Sequence, residues 1–151
     1  MKIMAQAPSR ITLVGGGTDI NPFAKYFGGC VISLAINLRQ KVILRTKDDK
    51  WEKPLHDFPL IINPQLAYAI LKHFNLNGLH LASVESRSDG IIGAGLGSSA
   101  SFAVALIGAI NRELNLNLSR HDIAKMAWDI EVNSLKWYGG KQDQWAASFG
   151  G

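Results

Sequence analysis

Cysteine occurs once in this sequence, at Cys30. An internal disulfide is therefore impossible, and a cysteine-based zinc site has no second ligand. The four histidines, His56, His73, His80 and His121, are scattered, with no pair four residues apart. A histidine metal cluster is not expected from that pattern. No run of about 18 apolar residues exists, which excludes a membrane-spanning helix. The opening MKIMAQAPSR has one lysine and no apolar stretch, so it does not read as a secretory signal. No internal repeat, low-complexity tract or linker divides the chain. Charge is also scarce: 19% of the 151 residues are charged, 47% are hydrophobic, and the net charge is only +4. That balance excludes a disordered chain. A single domain in a reducing cytoplasm is expected, long enough to bury about two-thirds of its unfolded surface.

The small positive excess does not point to nucleic acid. Its densest group, Lys41, Arg45, Lys47, Lys50 and Lys53, shares its stretch with Asp48, Asp49 and Glu52. Such a mixture reads as a solvated strand end and turn. It suits a phosphorylated small molecule equally well.

The first half reads as strands and the second as helices, an α+β pattern. Arg10 to Val14 alternates polar and apolar residues before stopping at Gly15-Gly16-Gly17. Cys30 to Thr46 alternates through Ile32, Leu34, Ile36 and Leu38, then Val42 and Leu44. That length suits one long bent strand or two paired strands, with one face buried. Lys47 to Lys50 reads as a turn, and Asn21-Pro22 opens a short helical turn that ends at Gly28-Gly29. Leu66, Ile70, Leu71 and Phe74 share a helical face, bounded by Pro64 and Asn77-Gly78. His80 to Ser86 is a strand candidate. Ala103, Leu106, Ile107, Ile110 and Leu114 form a long apolar stripe, and Ser119 can cap a further helix running through Ile130. Cys30 is expected to be a buried, inert thiol. The tryptophans, Trp51, Trp128, Trp137 and Trp145, are expected in the core or an interface.

Three segments carry chemistry. GAGLGSSAS, Gly93 to Ser101, lies directly before the apolar stripe. Its glycines allow close backbone approach, and the helix start that follows makes an anion cradle suited to phosphate. A glycine-rich turn capped by Ser98 or Ser99, with no ligand, fits the same residues. No Walker lysine follows, so this is not a P-loop, and the dinucleotide spacing is absent too. PSRITLVGGGTD, Pro8 to Asp19, runs a strand bearing Arg10 into three glycines and an Asp. It reads either as a tight turn or as a ligand wall on which Asp19 accepts hydroxyl hydrogen bonds. GGKQDQ, Gly139 to Gln144, is a polar knot between Trp137, Tyr138, Trp145 and Ala146. Asp143 there is either a cleft carboxylate or a helix cap.

In order and spacing, RITLVGGGTD, FGG at Phe27 to Gly29, GAGLGSSAS and the IE…GGKQDQWAASFGG ending resemble the GHMP kinases. The chain is most similar to the N-terminal half of the heptose 7-phosphate kinases and fucokinase-like sugar kinases in that superfamily. One small departure is Ile92, where many relatives have proline. The larger departure is that the family's third glycine-rich motif lies in a C-terminal half that this chain lacks.

The resemblance implies an α+β domain like the second domain of the fifth small-subunit ribosomal protein, spanning residues 1–151. It implies ATP-dependent phosphorylation of a sugar hydroxyl, most simply the anomeric one of a heptose 7-phosphate. Gly93, Gly95, Leu96, Gly97, Ser98, Ser99 and Ala100 would then hold ATP. Ser98 or Ser99, with Glu131, would hold Mg²⁺. Asp143 would orient or deprotonate the acceptor, and Arg10 would stabilise that Asp and the moving phosphoryl. Gly16, Gly17 and Asp19 would line the sugar pocket, with Lys141 toward a substrate phosphate. A non-catalytic fragment or ligand-binding module is the alternative, and nucleic-acid binding through the ribosomal-like fold is a third reading. Self-association, or pairing with a complementary C-terminal half, is expected because an uncovered lobe would expose apolar surface.

Overall fold

A computed structural model of the chain describes residues 2–46, 63–76, 81–90 and 93–150. The turn expected at 47–50 lies outside them, as do Trp51, His56, Asn77, Gly78, His80 and Ile92. The α+β expectation holds. Three antiparallel strands, β1 (Lys2–Val14), β2 (Ile32–Thr46) and β3 (Leu81–Ser88), pair in the order β1-β2-β3. A short α1 (Phe23–Phe27) joins the first two strands, and α2 (Pro64–His73) precedes β3. The chain then continues through α3 (Ser98–Leu114), α4 (Arg120–Asp129), a π-helical turn (Ile130–Ser134) and α5 (Gln142–Phe149).

Local chemistry explains several of these boundaries. Asn63 caps α2 by accepting from the Leu66 N–H, with Pro64 in the first turn. Ser119 and Asp122 form a reciprocal capping box at the start of α4. The core gathers on α3, whose residues from Ala100 to Ile107 are all buried, together with Val42, Leu44, Leu66 and Ile70.

Three expectations need correction. β1 begins at Lys2 rather than Arg10, because Met4-Ala5-Gln6-Ala7 has little strand character and is extended only by pairing with residues 40–43 of β2. The Cys30 thiol is exposed, not buried. Its residue precedes β2 in a loop, where its N–H and C=O are both clasped by the Thr18 hydroxyl. The alternating apolar face of β2 is buried at only one end. The register shifts between Pro8 and Ser9, where Asn37 and Leu38 are extra on β2. Such bulges bend and twist a strand pair. Val42 and Leu44 lie under the helices before the shift, while Ile11, Leu13, Ile32 and Leu34 are exposed beyond it. There Arg10 and Thr12 face α5 from the other side of β1.

Candidate active site

The glycine loop and the start of α3 form one wall. Gly93, Gly95 and Gly97 all adopt positive φ, and Gly97, at φ 71°, is the N-cap of α3 without a side-chain cap. Ser98 and Ser99 therefore open the helix instead of capping it. The first N–H groups of α3 have no partner within the helix. They border a cavity of about 420 Å³ lined by Gly93, Gly95, Gly97, Ser98, Ser99 and Asp143. A Cβ on Gly97 would be strained by its φ and would lie 3.2 Å from Asp143 Oδ2.

Arg10 ties this loop to the sheet and to α5. Its backbone N–H donates to Leu96 O at 3.0 Å, and its Nη1 donates to Gly95 O at 2.6 Å. Its Nε and Nη2 reach Asp143 Oδ1 at 2.7 and 2.6 Å. The ion pair is largely shielded, with Arg10 12% and Asp143 28% exposed in their side chains. Both bonds go to Oδ1, so Oδ2 faces the glycine loop. Asp143 is thus not the cap of α5; it stands in the first turn, and Lys141 occupies the N-cap position without a side-chain bond.

The cap comes from another part of the chain. Asp19 Oδ2 accepts from the N–H groups of Lys141 and Gln142 at 2.7 and 3.0 Å. Asp19 Oδ1 is buried and has no hydrogen-bond partner. Gln142 makes a second tie: its Oε1 accepts from Thr12 Oγ1 at 2.7 Å, and its Nε2 donates to Gly16 O at 3.0 Å.

Glu131 is the third component. It sits on the π-helical turn, 6% exposed, where the wider turn replaces regular helix before the chain reaches α5. Ser99 Oγ donates to its Oε1 at 2.6 Å, and Gln144 Nε2 donates to its Oε2. Burial pushes the Glu131 carboxyl above its ordinary range, with the nearby Asp143 charge adding to the rise. The Ser99 and Gln144 hydrogen bonds offset part of it. A second cavity, of about 300 Å³, is lined by Glu131, Ser99, Gly140, Gln142, Asp143 and Gln144. Arg10, Ser99 and Asp143 line both cavities and stand where they meet.

The oxygen donors here suit a hard divalent cation. The Glu131 carboxylate and the Ser99 hydroxyl would supply two oxygens, and an ion such as Mg²⁺ would take the rest of its shell from water and phosphate. The described residues hold no cluster of three or more acidic, histidine or cysteine side chains, so phosphate oxygens would be needed to complete such a site.

A pH-dependent prediction follows from the buried Glu131. Its folded pKa lies above its unfolded value, so its ionisation costs stability above the folded pKa, and the cost vanishes below the unfolded one. Glu131→Gln is expected to raise Tm at pH 8, with the gain shrinking as pH falls into the acidic range. A parallel pair of calorimetric pH series checks this, and a constant difference across pH would refute it.

Most of the expected site residues converge. Arg10, Asp19, Gly97, Ser99, Glu131 and Asp143 meet across three distant parts of the chain. Of the serine pair, Ser99 is the one beside Glu131. The Gly16 carbonyl is taken up by Gln142, Gly17 is exposed, and the Lys141 ammonium lies 4.9 Å from the centre of the Trp128 ring. Sequence reasoning gave no roles to Thr12, Gln142 and Gln144. The only signal for the glutamines was their place on either side of Asp143 in the polar knot.

The family model for the GHMP kinases N terminal domain matches residues 63–151. The chain belongs to the GHMP kinase family. It is 35% identical over 168 aligned positions to the D-glycero-alpha-D-manno-heptose 7-phosphate kinase of Campylobacter jejuni, covering 99% of this chain and 49% of that protein. It is 31% identical to the mevalonate kinase of Archaeoglobus fulgidus, over 99% of this chain and 51% of that one. A solved D-glycero-D-manno-heptose 1-phosphate kinase from Bacteroides thetaiotaomicron superposes with a TM-score of 0.83 at 26% identity, covering 100% of this chain and 54% of that structure. The chain thus spans about half the length of the curated relatives it matches, and its fold is that of the GHMP kinase N-terminal domain. Among the described residues, no helix is long and apolar enough to cross a membrane.

Proposed function

We propose that this GHMP domain is the N-terminal part of an ATP-dependent sugar kinase, acting on a hydroxyl of a heptose 7-phosphate or related sugar, most simply the anomeric one. The observation that carries the reading is the Arg10–Asp143 pair at the junction of two cavities, with the glycine loop on one side and Glu131 on the other. Phosphoryl transfer asks a protein mainly for positioning and charge stabilisation. The loop from Gly93 through Ala100 would receive the nucleotide phosphates on backbone N–H groups and the Ser98 hydroxyl. Asp143 Oδ2 would take or orient the acceptor hydroxyl proton while Arg10 fixes Oδ1 and offsets charge. Asp19, Gly16 and Gly17 would form the sugar side of the site, and Lys141 would turn toward the substrate phosphate. Glu131 with Ser99 would hold Mg²⁺, which supplies charge neutralisation for the transferring group. A cytoplasmic setting suits this chemistry and a free thiol at Cys30.

A second reading, a ligand-binding lobe without turnover, is favoured by the apolar surface beyond the strand bulge. Leu13 is 55% and Leu34 46% exposed, with Ile11 and Ile32 beside them. Clustered exposed apolar side chains mark association surfaces. Self-association through this face, or cover from a complementary C-terminal half, is the partner arrangement proposed. A coupled ATP assay across sugars and sugar phosphates, with light scattering on the same sample, separates the readings. Heptose-dependent ATP consumption supports the kinase. An associated chain that binds sugar phosphate but shows no turnover, alone or with a complementary C-terminal half added, supports the binding lobe, and a monomer removes the association proposal.

A further inference from the structure

We propose that Asp19 is a positioning residue for Asp143, acting through the N-terminus of α5 in addition to its proposed contact with sugar. The positioning role rests on the kinase reading, whereas the contact itself is independent of it. α5 lacks a local side-chain cap, and the Asp19 carboxylate does that work across 122 residues of sequence separation from Lys141. Charge-assisted bonds from a carboxylate to first-turn N–H groups are among the stronger local anchors of a helix. Asp143 lies one residue beyond the two N–H groups that Asp19 holds. Moving that turn moves Asp143.

Gly140 supports the same assignment. Its φ lies outside the left-handed region, so no backbone requirement calls for glycine there. A Cβ at Gly140 would instead fall within the Asp19 carboxylate. The glycine leaves room for the carboxylate to reach the helix. Gln142 reinforces the join by bridging Thr12 and the Gly16 carbonyl. The loop that would face the sugar and the turn that carries Asp143 are therefore one mechanical unit, with Asp19 belonging to both. Its Oδ2 is committed to the helix, and its buried Oδ1 is unpartnered.

The test reads the Arg10–Asp143 pair by NMR in the 151-residue chain, without nucleotide or sugar. Asp19→Ala should speed hydrogen exchange at the Lys141 and Gln142 amides by about fivefold or more, the ratio supported by one net hydrogen bond. It should also shift the Arg10 Nε–H resonance toward that of a free guanidinium. Asp19→Asn keeps an oxygen that can accept from both N–H groups, so it should restore both signals. Ser119→Ala, which removes the α4 cap, should lower Tm and leave the Arg10 resonance in place. Should Asp19→Ala fail to fold, Gly140→Ala displaces the carboxylate from the helix side and should give the same two changes. An Arg10 resonance unmoved by loss of the cap would overturn the proposal, as would an Asn variant that behaves like Ala. The full Asp19 effect in this chain, together with no sugar-dependent ATP consumption once a complementary C-terminal half is supplied, would retain this contact and count against the kinase reading alone.

Discussion

Asp143→Asn is expected to lower turnover by roughly two or more orders of magnitude while leaving ATP affinity nearly unchanged. The substitution keeps side-chain size and can still present an oxygen to Arg10 Nε and Nη2, so the junction between the cavities should persist. What it removes is the carboxylate that would accept or align the hydroxyl proton from its Oδ2 side. The nucleotide wall depends on the glycine loop, which Arg10 also holds through Leu96 O and Gly95 O, bonds that do not involve Asp143. Rate and nucleotide affinity should therefore separate. Steady-state kinetics in a chain with measurable activity, paired with nucleotide titration, provides the check. Near-normal turnover would remove Asp143 from the mechanism. A parallel loss of ATP affinity would instead make it part of the nucleotide wall.

Phe102→Ala is expected to damage the fold severely, costing about 3–5 kcal/mol through lost burial and the cavity left behind. Phe102 is fully buried on α3 and is among the largest enclosed side chains. α3 packs on β1, β2, α2, α4 and α5, so the other helices and the sheet can close only partly around the void. A loss of that size lowers Tm by on the order of 10 °C in a domain of this length. It also reaches the site, because Phe102 lies little more than one helical turn after Ser98, where the glycine loop feeds into the helix. Thermal unfolding monitored by circular dichroism measures the shift. A change of only a degree or two would mean that the α3 core repacks without strain.

The elements were legible wherever local pattern decided them. α2 starts at Pro64, the stripe from Ala103 to Ile110 is buried on α3, and Ser119 caps α4, as spacing and cap chemistry required. The three motif segments were legible too, because glycine runs beside Arg, Ser and Asp stand out against a largely apolar chain. Locally decided features ended there. The Lys2–Ser9 half of β1 has weak intrinsic preference and is made a strand by β2. The burial of Ile32 and Leu34 could not be read from alternation, because alternation assigns a face without saying how far the helices extend over it. Cys30 was misplaced for the same reason: an apolar neighbourhood in sequence is not one in space.

Helix and strand periods, the glycine loop ahead of α3 and the family are all written in residue order, through motifs that survive without coordinates. Which atoms meet is settled by packing. Arg10 finds Asp143 across 133 positions, Ser99 finds Glu131 across 32, and Asp19 spends one oxygen on the start of α5. Hydrogen bonds hold only over about 3 Å. Side chains this far apart in sequence are brought within that range by the packing of α3 and α5 against the sheet, and no local rule contains that packing.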